Sequence, residues 1–470
     1  MLLLGSNSLH LIDPGYPMRL WTLLAVLLFL ASSWGRADPI DDFIKAEMQR
    51  TQTPGLSLAI VRDGKIVREQ AYGLANLEHQ VPVKPATLFQ AASIGKQFTA
   101  ALVMLLVEDG KLGLDDPVAR HLPNTPPAWK DVTVRHLLTH TSGLADPGDR
   151  IDLRKDYTDD EMIAIAGALP LDFQPGEDWA YSNVGYQLLG YLCTKVGGKF
   201  YGDQLRERIF APLGMSARVI SERDIVPHRA AGYELVDGQV KNQEWVSPTM
   251  NATADGSLYV TAHDLALWDL ALYGDKPLTA RIRQASWTPV TLKNGNTQPY
   301  GFGWSLEPVN GHRRVWHNGR WQGFRSVIHR FVDDRLAVIV LANSTSAPVE
   351  KIGNQVARMV LPALVQHPIA DTEPAATARA KEILAYFERG EQPPGLSASA
   401  KEFFSPQFMG WVRADMRGFG KLSEVQPMER GEKNGKRLYV YRARFAHDDV
   451  TMKFSLNKAG EIENVELLPE

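Results

Sequence analysis

A chain of 470 residues with a single cysteine, Cys193, cannot close an internal disulfide, so packing and hydrogen bonds must hold it together. Charge of one sign is also missing. Lysine and arginine number 51 against 54 aspartates and glutamates, a formal net charge of -3, and no basic field marks a nucleic-acid partner. No apolar run reaches the roughly 20 residues that a membrane-spanning helix needs. The run Leu20 to Ala31 follows Arg19 and precedes a small-x-small site at Gly35 and Ala37, the make-up of a secretory signal. Residues 1–37 are therefore expected to be a signal region, with Met18 as a possible true start. The mature protein is expected in the periplasm or medium, with no stable membrane span. Neither a Walker loop nor an internal repeat occurs. A strict G-x-S-x-G is absent as well: "AASIG" around Ser93 and "GLSLA" around Ser57 both miss it, and the alternating strand and helix units of an α/β-hydrolase are lacking. Cys193 lies in the helical apolar pattern "GYQLLGYLCTKVGG" and reads as buried filler.

What is present has a clear order. "GLSLAIVRDGKIVREQAYGL" (55–74) gives two β-rich runs around Asp63-Gly64, a hairpin signal. A second strand group falls late, in residues 313–346, where Asp333-Asp334 separates two strand candidates. Helical patterns and turn-rich loops fill the interval, including "VTVRHLLTH", "DEMIAIAGAL" and "TAHDLALWDLALYG". Strands, many helices, then strands predict an antiparallel sheet built from distant chain ends and packed with a helical region. Residues 367–380, rich in alanine, proline and acid, read as a linker or a loosely packed helix start between a domain at 38–366 and a tail at 381–470. In that tail "AKEILAYFERG" looks helical, while "RLYVYRARF" and "TMKFSLNKAG" alternate as half-buried strands do, so it is expected to be a small α+β accessory domain.

The chemistry begins at "FQAASIGKQF". From Ser93 the apolar positions Phe98, Leu102, Leu105 and Leu106 recur at helical spacing until Gly110. Residues i and i+3 share a helix face, so the Ser93 hydroxyl and the Lys96 amine are predicted side by side at a helix head, where free backbone amides point outward. One S-x-x-K is expected by chance in a chain this long, so context must carry it. "WAYSNVGY" (179–186) and "WHNGRWQGF" (316–324) supply it, with polar residues that a plain core element does not need.

With these three stretches in order, the sequence resembles the serine β-lactamase and penicillin-binding-protein superfamily, in its class C branch of D-peptidases and lactamase-like esterases. Ser93-Ile94-Gly95-Lys96 matches S-x-x-K, Tyr181-Ser182-Asn183 matches Y-x-N, and His317-Asn318-Gly319 matches K-T-G or H-x-G. "VTVRHLLTHTSGL" and "PLGM" are similar to supporting stretches, and the resemblance covers roughly residues 40–365. It implies an α+β fold of the β-lactamase/transpeptidase type and a serine hydrolase that works through an acyl-enzyme on Ser93. Lys96 and Tyr181 would relay the proton, since a serine hydroxyl is a poor nucleophile unaided. Asn183 would orient the substrate amide and Lys96. The backbone amides of Ser93 and Arg320 would hold the oxyanion, and Gly319 would permit close approach, since a side chain there would fill the cleft.

His317 stands where most β-lactamases carry lysine. An ordinary histidine is mostly neutral at pH 7, so recognition of a β-lactam carboxylate weakens unless the Arg320 side chain supplies the cation. The implied substrate is a small ester, a D-peptide or a cell-wall-derived molecule. A true β-lactamase and a non-catalytic sensor or scaffold are the rivals. No cofactor is implied. His136 and His140 are spaced i,i+4 but lack the glutamate of H-E-x-x-H, so they are expected to be structural rather than a zinc pair.

Overall fold

The computed structural model describes residues 38–220, 223–433 and 435–469. The expected signal region, 1–37, lies outside the described residues. A helix, α1 (Pro39–Arg50), has Asp41 and Asp42 in its first turn and Arg50 in its last, each sign suited to the helix dipole. After it, β1 (Gly55–Arg62) and β2 (Lys65–Asn76) form the expected hairpin, with Asp63 and Gly64 both at positive φ.

Helix α2 (Gly95–Glu108) follows the serine and is buried almost all round, which explains why its sequence is apolar on every face. Two further helices pack around it in the polypeptide's middle: α3 (Asn183–Gly197), capped by the Ser182 side chain on Gly185 N–H, and α4 (Ala262–Ala271), with a capping box at Thr261 and Asp264.

The late strand region holds three strands rather than the two that the sequence suggested: β3 (Arg314–Trp321), β4 (Phe324–Phe331) and β5 (Leu336–Ala342). Besides the turn at Asp333-Asp334, the chain reverses at Gln322-Gly323, with Gly323 at φ 73°. The sheet order is β3-β4-β5-β1-β2, completed by the two-residue strand Val81–Pro82, all antiparallel. Early and late strands meet where β1 pairs β5, Leu56 opposite Ala342 through Arg62 opposite Leu336. Strand β5 is buried along its whole length because helices cover both faces, α4 on one and α5 (Val349–Val360) on the other. Strand β3 is left at the edge of the sheet, beside the turn that carries Ser93.

The tail has its own core. Helix α6 spans Pro374–Arg389, so it begins inside the stretch expected to be linker, and Ala380, Ile383, Leu384 and Phe387 are buried in the tail's cluster. Proline at the first helical position and an alanine-rich first turn make a good helix start, the second of the two readings the composition allows. Helices α7 (Ala398–Phe403) and α8 (Pro406–Phe419) lead into a four-stranded meander, β6 (Leu422–Lys433), β7 (Lys436–Phe445), β8 (Asp449–Leu456) and β9 (Ile462–Pro469). The connecting segment is fastened to this sheet: Ile369 N–H donates to Pro427 O at 2.9 Å and Arg430 pairs with Asp371 at 2.6 Å. Lys351 of α5 reaches Asp448 of the tail and also Glu47, the latter at 3.1 Å.

Candidate active site

Ser93 sits on a single 3-10 turn, Ala92–Ile94, immediately before α2. Ala92 takes φ +51°, a left-handed conformation that costs a residue with a Cβ about 1–2 kcal/mol, so the serine is presented on a strained turn. Two glycines let other chain segments hold that turn. A Cβ on Gly319 would lie 2.3 Å from Ala91 O and 2.3 Å from Ser326 Oγ, so the bare backbone of β3 makes a close approach to the serine turn itself. Gly303, at φ +74°, would place a Cβ 2.8 Å from the Lys96 carbonyl. Ser326 Oγ donates to Ala91 O at 2.6 Å and completes the fastening.

Lys96 is fully buried, yet its ammonium is completely satisfied. Its Nζ donates to Ser93 Oγ at 3.1 Å, Asn183 Oδ1 at 2.9 Å and the Asp255 carbonyl at 2.6 Å. An amine has three protons in its charged form, and three acceptors meet them. The ring of Tyr181 lies beneath the same nitrogen, 4.9 Å from Nζ to centroid, and is 38% exposed, so it faces the open side of the site. Ser93, Lys96, Tyr181 and Asn183 thus come together from two separate segments. A hydroxyl, an amine and a phenol so grouped can remove a proton from the hydroxyl and return it to a leaving group.

The strand side differs. His317 is buried, its Nδ1 is 2.6 Å from the Asn318 carbonyl and its Nε2 is 3.0 Å from the Tyr300 hydroxyl. A nitrogen facing a carbonyl must carry the hydrogen, so Nδ1 donates and Nε2 accepts from Tyr300. Burial, helped by the Lys96 charge, pushes the imidazole down to about 4 against its hydrogen bond to Asn318, so it is neutral at pH 7. Both nitrogens are occupied, which leaves no N–H free for a substrate.

Side chains alternate along β3: Val315, His317 and Gly319 are buried while Trp316, Asn318 and Arg320 are more open. Asn318 Nδ2 donates to Glu350 of α5 at 2.7 Å, so this second set lies on the α5 face. The Arg320 side chain therefore points away from His317, and the expectation that it could anchor a substrate carboxylate is corrected. Its backbone is oriented otherwise. Trp316 exchanges both backbone hydrogen bonds with Ser305 on the outer edge of β3, and by the two-residue alternation of an antiparallel ladder Arg320 N–H points to that same open edge.

Sequence reasoning missed Tyr300, Gly303 and Ala92. The stretch "YGFGW" (300–304), a tyrosine and a tryptophan spaced by glycines, was the available signal of a tight loop at the site. His136 Nδ1 accepts from Thr133 N–H at 3.2 Å and His140 Nδ1 accepts from Ser182 N–H at 3.1 Å, so each histidine serves a backbone amide. Among the described residues no group of three or more His, Cys, Asp or Glu could hold a metal ion, and no helix is long and apolar enough to cross a membrane. Cys193 is buried among apolar neighbours, and burial pushes its thiol far up.

A helical region against an antiparallel sheet, with a serine, a lysine and a tyrosine at their junction, defines the acyl-transferring serine hydrolases of the β-lactamase/transpeptidase type. The chain belongs to the β-lactamase family, which matches residues 40–360. It is 35% identical over 318 residues to penicillin-binding protein 4* of Bacillus subtilis, covering 63% of this chain and 69% of that protein. It is 29% identical over 314 residues to a D-aminopeptidase of Gluconobacter oxydans, covering 65% of this chain and 58% of the relative's length. The D-amino acid amidase of Ochrobactrum anthropi superposes with a TM-score of 0.59 at 29% identity, over 70% of this chain and 99% of that one. An octameric penicillin-binding protein homologue of Pyrococcus abyssi shares the fold over 92% of this chain and 98% of its own, with TM-score 0.61 and 24% identity.

Proposed function

We propose that the protein hydrolyses small esters or D-amino-acid amides and peptides through an acyl-enzyme on Ser93. The observation that carries this reading is the 3.1 Å contact between Lys96 Nζ and Ser93 Oγ inside a fully paired network. The Ser93 oxygen attacks the carbonyl as its proton passes to the Lys96 and Tyr181 pair, which acts as the base when it holds one proton fewer than an ammonium beside a phenol, and a carbon–oxygen bond forms. The tetrahedral oxygen lies between the backbone N–H groups of Ser93 and Arg320. The leaving alcohol or amine takes the proton as its bond breaks, and water then repeats the sequence to free the acid and restore Ser93. Asn183, with its oxygen turned to Lys96, keeps its amide nitrogen for the substrate.

The choice of substrate rests on the strand side. A carboxylate beside the scissile bond would meet a neutral His317 with both nitrogens engaged, and the Arg320 side chain faces the other way. Charge-assisted hydrogen bonds are about twice as strong as neutral ones, so carboxylate-bearing β-lactams and carboxypeptidase substrates lose this anchor. The D-aminopeptidase and D-amino acid amidase relatives agree with this preference. Export, guided by residues 1–37, belongs to the same reading, and N-terminal sequencing of protein from the periplasm or medium checks it.

Purified protein is tested on p-nitrophenyl acetate and butyrate, D-alanine amide and a chromogenic cephalosporin, together with Ser93→Ala and a fluorophosphonate label followed by intact mass. Turnover and labelling should both vanish in Ser93→Ala. Labelling that persists there removes Ser93 as the nucleophile, and a cephalosporin kcat/KM above the best ester or amide makes the enzyme a β-lactamase.

A further inference from the structure

We propose that His140 is the positioning residue for Tyr181, clamping it from both flanks with one backbone oxygen and one imidazole nitrogen. The inference rests on Tyr181 taking part in proton transfer. Ala180 N–H donates to the His140 carbonyl at 3.0 Å, and Ser182 N–H donates to His140 Nδ1 at 3.1 Å. The residue between these two donors is Tyr181. Its ring lies against the imidazole, with centroids 4.3 Å apart and planes inclined at 37°. Three contacts from one residue fix the backbone before the tyrosine, the backbone after it and the plane of its phenol.

His140 itself is held for this task. It sits at φ +60°, an unusual conformation for a residue with a branched ring, and that twist lets its carbonyl and its side chain serve the same strand of chain. Neighbouring bonds fasten the two segments: Gly176 N–H donates to Thr141 O at 2.7 Å, and the Tyr186 hydroxyl donates to Leu138 O at 2.8 Å. Among the described residues His140 Nε2 is buried without a hydrogen-bond partner, so the imidazole's one polar contact there is the bond to Ser182. Nδ1 must accept there, which places the hydrogen on Nε2 and requires a neutral ring.

The surroundings enforce neutrality. Tyr181, Tyr186, Tyr300 and Trp179 enclose the ring, and the charges of Lys96 and of a protonated His317 both oppose a second cation. Protonated, Nδ1 would become a donor facing a donor, and the clamp would open.

The test compares His140→Asn with His140→Phe in the full chain, by steady-state hydrolysis of p-nitrophenyl acetate across pH 5–10. Asparagine tolerates positive φ and offers an oxygen near the position of Nδ1, so kcat should stay within about five-fold of wild type. Phenylalanine keeps a ring but no acceptor. Its kcat should fall about 10²-fold, the range for a misplaced acid–base group, with KM changed less than about three-fold and the alkaline limb of the kcat profile displaced. Equal losses in both variants, or a His140→Phe enzyme with more than half of wild-type kcat, overturn the clamp. Tyr181→Phe run alongside separates the two claims: a dead Tyr181→Phe beside an active His140→Phe sinks only the clamp, whereas an active Tyr181→Phe sinks the tyrosine's role. Should His140→Phe fail to fold, nitrogen NMR of the wild type decides. A bare Nδ1 with no titration down to pH 5 supports the assignment, and a proton on Nδ1 or titration near pH 6.5 contradicts it.

Discussion

The two walls of the cleft treat charge in opposite ways. On the serine wall a lysine is buried completely and every one of its protons is matched by an acceptor, one of them the Ser93 oxygen. On the strand wall the equivalent polar residue, His317, is held neutral and consumed by Asn318 O and the Tyr300 hydroxyl. Charge is thus placed where a proton must move and withheld where a substrate's carboxylate would rest. Burial is common to both walls, so burial alone does not decide the outcome. The difference lies in the partners: three acceptors stabilise an ammonium at Lys96, whereas the one carbonyl at His317 Nδ1 does not offset burial and the nearby Lys96 charge.

The serine wall should be broken most severely. Lys96→Ala and Tyr181→Phe are each expected to lower kcat by about 10²-fold or more on p-nitrophenyl acetate. Because the two side chains act on one proton, the double variant should be barely worse than either single change, and fully additive losses in steady-state kinetics would show independent roles.

The strand wall should reveal itself through pH. His317 falls to about 4 in the folded chain, against about 6.5 for an ordinary histidine, so the unfolded chain binds the extra proton first. The stability it contributes is complete above pH 6.5 and drains away as pH falls toward 4. At pH 5 the loss is about 2 kcal/mol. His140 and His329, buried and also lowered, push in the same direction. Thermal unfolding followed by circular dichroism should show Tm dropping by several degrees from pH 7 to pH 5, and a flat Tm would contradict a neutral buried His317.

Smaller effects sharpen the contrast from outside the two walls. A chain ended after Val365 loses the tail and the Asp448 partner of Lys351, but Glu47 remains at 3.1 Å. Its ester kcat/KM should stay within about three-fold of the full chain, since the tail's core is separate and the site residues precede it. Aggregation of the shortened chain on gel filtration would instead make the tail a cover for apolar surface. Arg320→Ala is expected to change ester and cephalosporin kcat/KM by less than about two-fold, because its side chain lies on the α5 face while its backbone N–H is unchanged. A selective loss of cephalosporin turnover would put the guanidinium back in the cleft.

Much of this was legible beforehand, for reasons that individual residues make plain. Ser93 and Lys96 could be paired because i,i+3 spacing on a helix fixes proximity without any knowledge of the fold. Both strand groups were visible from β-rich composition and turn residues. The parity of β3 was legible too, since 317 and 320 differ by an odd number and must face opposite sides, but the arginine was assigned by chemistry rather than by period. Tyr300 was out of reach, because its contact with His317 joins a loop to a strand and no local period encodes it. The clamp at His140 was likewise hidden: 42 residues separate it from Ser182, and only the positive φ at position 140 makes the geometry possible. The hairpin at Gln322-Gly323 was missed because apolar residues continue on both sides of it, and α6 was cut short because alanine and proline read as looseness.

The most direct measurement compares one D-amino-acid substrate in two forms, an acyl-D-alanyl-D-alanine with its free C-terminal carboxylate and the same molecule as its C-terminal amide, by kcat/KM at pH 7. With no cation on the strand wall, the amide should be cleaved as fast as the acid or faster. A preference of about ten-fold or more for the free carboxylate, worth about 1.4 kcal/mol, would mean that a positive charge does reach the substrate and would contradict the account.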